Sequence, residues 1–406
     1  MMSLNKYVYN YFLILFSFIP LSILIGSAVS VVNILLIDVS FLFLLIYKKN
    51  FKFLKNSAIF YLIILYLYLI FNTFIAIDYS ESISRNVGFI RVIILFIAFN
   101  YFFNQQLFFE KMIKIWMIIL SIVILDVFIE FTFGKNLLGY GELYGNRIVS
   151  FFKDEPIVGG YINGFFLIIC GFVFSKNVKN NYFPFLFLIF FVVAIIITGE
   201  RSNSIKALIG AGIFLLAYKE IKSKPKIIFF ICSSFLILMI ILNSTFLKNR
   251  FYSQIKGGVN HDNLYFKLYK SGFNVFKNYP FFGTGNKNYR IETCSDKKTL
   301  IVRNQNEYIC NTHPHQLYLD FLSEHGFFGT IILLFIFYKL IFSKIKKTFI
   351  ENNYIKIGSL IFLIFVFMPI IPSGAFFNDY ALTIFAINLS IFYASDKNMN
   401  IFKNYR

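Results

Sequence analysis

The sequence predicts an all-α integral membrane protein of about twelve transmembrane helices, with one large hydrophilic loop between the ninth and the tenth. Three observations carry this reading. Hydrophobic residues make up 58% of the 406 and charged residues only 15%, too little charge to coat a water-soluble core. The apolar residues fall in blocks of roughly 17–25, the length that crosses a ~30 Å hydrocarbon layer. No period-two alternation is present, which argues against a barrel.

The blocks lie at residues 8–29, 31–47, 57–76, 87–103, 112–132, 157–174, 183–198, 203–217, 227–243, 317–342, 355–371 and 378–394. They divide the chain into four units: helices one to five (1–132), helices six to nine with the loop before them (133–243), the large loop (244–316), and the last three helices (317–406). Lysines set the orientation. Lys48, Lys49, Lys52 and Lys55 follow the second block, and Lys176 and Lys179 the sixth. Lys219, Lys222, Lys224 and Lys226 follow the eighth, and Lys344, Lys346 and Lys347 the tenth. All are even-numbered connections, so they share one side with both termini, and the positive-inside rule makes that side the cytoplasm. The acidic turn from Asp78 to Glu81 then falls outside. This placement accounts for the net charge of +19 without a nucleic-acid partner. The first block is long and is followed by more spans, unlike a cleaved signal peptide.

Arginine is scarce beside lysine, so an arginine outside the lysine clusters signals a need beyond simple charge. Thr198-Gly199-Glu200-Arg201 forms a tight polar turn between two apolar blocks. Ionisable groups at that depth usually face a cavity or a partner, and Arg201 can grip a phosphate bidentately. The plain alternative is that Glu200 and Arg201 neutralise each other or snorkel outward. Arg147 lies in a second external segment, Gly145–Tyr161, which includes Asn146, Asp154 and the Gly159-Gly160 pair. The large loop carries His261-Asp262, an amphipathic helix over Leu264–Lys277 with Lys267, a Gly turn at Pro280–Gly285, and Tyr289-Arg290. Cys294 and Cys310 share that loop; in an oxidising compartment they would pair, contributing about 3 kcal/mol, and the alternative is two free thiols. Cys170 and Cys232, inside apolar blocks, are expected to be buried thiols.

The densest polar signal is at the mouth of the tenth block, where His313, His315 and His325 stand close together with Glu324. Pro314 suits the first turn of a helix, which places His315 in that turn; the helix dipole would lower its pKa and ready it as a general base. The spacing is not that of a helical metal pair, so no metal is expected. The bland reading is a set of interfacial polar residues capping a helix.

Together, Thr198–Arg201, Pro280–Gly285, and His313-Pro314-His315 with Tyr318-Leu319, Glu324, Gly326 and Gly329 resemble the O-antigen ligase/polymerase family of bacterial envelope glycosyltransferases. Gly145–Tyr161, Tyr289-Arg290 and the two loop cysteines are similar to one subgroup of it. The resemblance implies a multi-pass protein of the inner membrane, with its active site facing the periplasm. It implies metal-independent, inverting transfer of a glycan from undecaprenyl diphosphate to a sugar hydroxyl, without a cofactor. The acceptor would be lipid A-core for a ligase, or a lipid-linked repeat unit for a polymerase, with a chain-length regulator as a further partner. It gives Arg201 a diphosphate contact and His315 activation of the acceptor, with His313 and Glu200 as neighbouring substrate-binding groups. The chain departs from the family at Gln316, where Asn is usual, and at Tyr265, where many members carry a loop arginine. Arg290 and Arg147, then Lys267, are the candidates to replace that arginine. A polysaccharide flippase or other secondary transporter is the alternative function; it would concentrate polar residues near the midplane and show repeated halves. An assembly subunit would need neither Arg201 nor His315.

Overall fold

The computed structural model describes residues 5–49, 51–141, 147–153, 155–176, 183–253, 264–294, 308–369 and 371–402. Lys179, Gly145, Asn146, Asp154, His261 and Asp262 lie outside the described residues. The described residues form helices joined by turns, with no strand among them. In order these are α1 (Lys6–Ile25), α2 (Ser27–Lys48), α3 (Ser57–Phe74), α4 (Tyr79–Gly88), α5 (Ile90–Phe102) and α6 (Gln106–Phe133). There follow α7 (Val158–Ser175), α8 (Phe183–Ile197), α9 (Arg201–Ala217), α10 (Ser223–Asn243) and the short α11 (Thr245–Lys248). The large loop contributes α12 (Leu264–Asn278) and α13 (Tyr289–Cys294). The chain closes with α14 (Leu317–Leu340), α15 (Ile345–Ile350), α16 (Tyr354–Val366) and α17 (Asp379–Ala394).

Among the described residues, eight helical segments are long and apolar enough to cross a membrane, and α8, α16 and α17 are shorter apolar helices. The protein is therefore an all-α membrane protein. Boundaries differ from the sequence reading for local reasons. The first two helices part at Gly26, whose φ of 145° ends α1. The fourth segment starts early as α4, because the Asp78 carboxylate caps it by accepting from the N–H of Ser80 and Glu81. The expected amphipathic loop helix is present as α12.

α7 is the most enclosed helix, packed against α8, α9, α16 and α17. α10 is the opposite: of its 21 residues only Ile237 is buried. Cys232 on α10 is accordingly exposed, which corrects the expectation of a buried thiol; Cys170 on the enclosed α7 is buried.

The connections sort onto two faces. On one, Tyr354 bonds Lys219 and Glu220, and the fully buried Lys356 ammonium pairs with Glu351 at 2.6 Å and with Asp396. On the other, the turns after α3, α6, α8, α10 and α16 touch one another, and all the candidate site residues lie there. Ile77 donates to Thr284, Gly159 to Glu200, Arg250 to Gly199, and Ser373 to the His315 carbonyl.

The Gly turn is locked to α14 by backbone pairing. Thr284 and Gly285 donate to the carbonyls of Ser323 and Glu324 at 2.9 Å each, and Phe327 and Phe328 donate to those of Pro280 and Phe281 at 2.8 and 3.1 Å. α14 breaks at Gly326, with φ 65°, to present these groups. A Cβ on Gly283 or Gly326 would clash with the other segment's backbone, at 2.3 Å and 2.4 Å from its nearest atom. Non-helical backbone inside a membrane helix needs such partners. Asn72 and Asn86 extend the clasp: Asn72 accepts from the N–H of Asn286 at 2.7 Å, and Asn86 from its side-chain amide at 2.6 Å.

Gly326→Ala should therefore destabilise the fold by about 1–3 kcal/mol, through both a positive φ and a backbone clash. Thermal unfolding in detergent measures this; an unchanged midpoint would contradict the clasp.

Candidate functional site

Five carboxylates on the site face hold the connections in place, each by accepting from backbone N–H groups. Glu130, near the end of α6, accepts from Val149 at 3.0 Å and Ser150 at 2.6 Å. Asp126, one turn earlier, accepts from the N–H of Leu137 and the hydroxyl of Ser150. Asp320 of α14 accepts from Phe376, and Glu324 from Tyr289. Glu200 accepts from Gly159 at 2.6 Å, Gly160 at 3.2 Å and the Asn203 amide at 2.7 Å, which caps the first turn of α7. Gly159 is needed there, since a Cβ would stand 2.7 Å from Thr198 Oγ1 and 2.9 Å from Glu200 Oε1.

Among the described residues, no ion pair joins Arg147 or Arg201 to one of these carboxylates. Arg201 opens α9 directly after Glu200, yet the two form no ion pair among the described residues; the sequence alternative of mutual neutralisation does not occur. Arg147 stands two residues before the backbone that Glu130 grips, and near enough to Glu200 to act on its charge. The third member, Arg250, was missed in the sequence. It lies in the π-helical turn Asn249–Ser253 after α11, and its Nε and Nη2 donate to the Gly199 carbonyl at 3.2 and 3.1 Å. Burial, with Arg147 and then Arg201 beside it, pulls its pKa down to about 10. Arg147, Arg201 and Arg250 are thus near enough to act on one another beside the Thr198–Arg201 turn, which makes this a positively charged place.

The signal for Arg250 was available: it is an arginine near a span end, outside the lysine clusters, as Arg147 and Arg290 are. Its nearness to a predicted span boundary hid it. Arg290 is exposed on α13, and Lys267 is exposed on α12.

The histidines reach the same site through Tyr265. Its ring meets His315 edge-on at 6.0 Å, and its phenol acts electrostatically on Arg250. His313 and His315 lie ring to ring at 4.1 Å, with Thr312 Oγ1 2.9 Å from His313 Nδ1. Here the sequence reading needs correction. α14 starts at Leu317, so Pro314 and His315 precede the helix rather than forming its first turn. Gln316 is the N-cap, accepting from Leu319 at 2.8 Å while its amide donates to Pro369 at 2.7 Å. His315 takes a left-handed backbone, φ 57°, a conformation costly for a non-glycine residue and common at functional sites. Its pKa is lowered by burial, and that of His313 is lowered to about 4 by burial and then by His315. The third histidine, His325, is enclosed by Tyr68, Phe321 and Phe377, with Nδ1 3.2 Å from the Tyr68 hydroxyl. It belongs to the packing of α14.

Cys294 and Cys310 are joined by a disulfide, which closes the excursion between α13 and the histidines. Tyr289 and Ser271, in hydrogen bond at 2.9 Å, tie α13 to α12. Among the described residues no group of three His, Cys, Asp or Glu side chains could hold a metal ion.

Residues 186–334 match the family model described as O-antigen ligase. The matched segment runs from α8 into α14 and includes Arg201, Arg250, Tyr265, His313, His315, Glu324 and Gly326. The resemblance read from these motifs is thus supported over that segment, which is 149 of the 406 residues. No curated protein matches the chain.

Burial raises the Glu200 pKa to about 7, against the opposing bonds from Gly159, Asn203 and Gly160. A carboxyl raised in the fold contributes stability below its unfolded pKa of ~4.3 and loses it as pH rises through about 7. Thermal midpoints at pH 5 and 7.5 should therefore fall more for the native chain than for Glu200→Gln. An equal fall in both would show that Glu200 does not titrate in this window.

Proposed function

With an O-antigen ligase domain across residues 186–334, we propose that the protein transfers a glycan from a polyprenyl diphosphate to a sugar hydroxyl. The supporting observation is that Arg147 and Arg201 stand close enough to Arg250 to act on it, beside a turn whose Glu200 carboxylate accepts from backbone N–H groups. A group of guanidiniums suits an anion of two phosphates, since each fork matches phosphate oxygens. His315 reaches this place by way of Tyr265.

In the reaction, the acceptor hydroxyl oxygen attacks the anomeric carbon from the face opposite the diphosphate. The new C–O bond forms as the bond to the diphosphate breaks, which inverts the centre. The hydroxyl proton passes to His315, held neutral by burial. The bonding electron pair leaves on the diphosphate oxygen, where the arginines meet the growing charge. A diphosphate is a good leaving group, so the protein's tasks are charge neutralisation and orientation.

The helices that end at the site also suit a lipid-linked donor. α8, α16 and α17 have 15, 13 and 16 residues, or roughly 20–24 Å at ~1.5 Å per residue. All three are shorter than a ~30 Å hydrocarbon layer, so the floor of the site is sunk toward lipid headgroups. The site face is the periplasmic one on this reading, with the lysine-rich face and both termini in the cytoplasm. Lipid A-core and a lipid-linked repeat unit are the two acceptors the chemistry allows.

A secondary transporter is not favoured, because the arginines and histidines gather at one face instead of near mid-helix.

The test is a reconstituted assay with polyprenyl-diphosphate-linked glycan, offered lipid A-core or a second lipid-linked unit. His315→Ala should lower turnover by about 10²–10⁴-fold, and Arg201→Lys by about 10²–10³-fold, with normal expression and insertion. Full activity in both variants would refute the assignment.

A further inference from the structure

α10 stands on the outside of the bundle, and its outer half faces the end of α6 across a cavity of about 840 Å³. That is within the ~300–1,000 Å³ of ordinary ligand sites. Phe131, Phe235, Leu236 and Met239 make apolar walls, and the rim passes to amide and hydroxyl groups at Asn243 and Ser244. Phe235, Leu236 and Met239 are 64%, 44% and 45% exposed, so the cavity is open at the side of the helix bundle, where lipid would lie.

Immediately beyond the rim, α11 turns the chain toward the arginines. The Phe246 ring packs on Gly199, whose Cβ position lies 2.6 Å from it, and Arg250 bonds the Gly199 carbonyl. From apolar wall to polar rim to guanidiniums, the surface follows the profile of an isoprenoid diphosphate read from its tail to its head.

We propose that the α6–α10 groove holds the isoprene units nearest the diphosphate of the lipid-linked donor. This rests on the donor reading above and adds a place for the tail. The groove explains why α10 is left so little packed: a helix pressed against α6 would close the side entrance. It also gives the enzyme a way to admit a membrane-dissolved substrate without lifting its tail into water, since apolar surface moved from bilayer to groove stays out of water throughout.

The experiment is photolabelling of the full chain in nanodiscs with a diazirine-bearing polyprenyl diphosphate, with adducts mapped by mass spectrometry. Adducts on Phe131 and on α10 between Phe235 and Asn243, displaced by unlabelled polyprenyl diphosphate but not by polyprenol, support the groove. Displaceable adducts elsewhere overturn the groove while leaving the donor reading intact. Equal labelling of the groove by a diazirine phospholipid, with no displacement, shows ordinary boundary lipid and also overturns it. No displaceable adduct anywhere means the donor does not bind, and both readings fall. As a second measurement, Met239→Trp, at an exposed position in the groove wall, should weaken binding of a polyprenyl diphosphate by about tenfold and leave binding of tail-less inorganic pyrophosphate within about twofold. Equal effects on the two ligands would exclude a tail site at Met239.

Discussion

The organisation of this protein follows from one kind of bond, in which a carboxylate set in or beside the bundle accepts from loop backbone N–H groups. Glu130 does this for the 149–150 turn, Glu200 for the start of α7, Glu324 for α13, and Asp320 for the 376 turn. Each bond satisfies a backbone donor that would otherwise be buried unpaired, and each holds a loop at a fixed height. The same bonds have an electrostatic consequence. A carboxylate that accepts from backbone N–H groups is not spent on a guanidinium, and Arg147 and Arg201 stand beside Glu200 and Arg250 without an ion pair to Glu200. Scaffold and site are therefore set by the same residues.

The fold was largely legible, because apolar block length reports the bilayer directly. What sequence reading could not separate were two jobs within one motif. Pro280–Gly285, Glu324 and Gly326 looked like companions of His315, yet they form a backbone clasp that bends α14 and holds the loop down. Only the paired carbonyls and N–H groups, some forty residues apart in sequence, reveal this. Gln316 read as a departure from a family pattern; in the fold it caps α14 with its carbonyl and anchors the 369 segment with its amide. Lys356 was hidden because it sits inside an apolar block, where its partners Glu351 and Asp396 come from the flanks of two helices.

The site was legible in part. Arg201, Arg147 and His315 were named from scarcity of arginine and from the histidine motif, and all three lie on the face where the connections meet. Arg250 was not named, although the same scarcity argument applies to it. His315 was placed in the first helical turn, whereas it stands just before α14 with a left-handed backbone, and burial lowers its pKa. A helix start shifted by two or three residues was enough to move it out of the helix, which shows how far such arguments depend on an exact cap.

The central claim is that Arg250, and not Arg290, completes the anion site with Arg147 and Arg201. The direct measurement is the affinity of the purified chain for a water-soluble prenyl diphosphate, compared among the native chain, Arg250→Gln and Arg290→Gln. Losing a partly buried guanidinium should weaken binding by about thirtyfold or more, while Arg290→Gln should bind as the native chain does. Binding lost in Arg290→Gln and kept in Arg250→Gln would contradict the account.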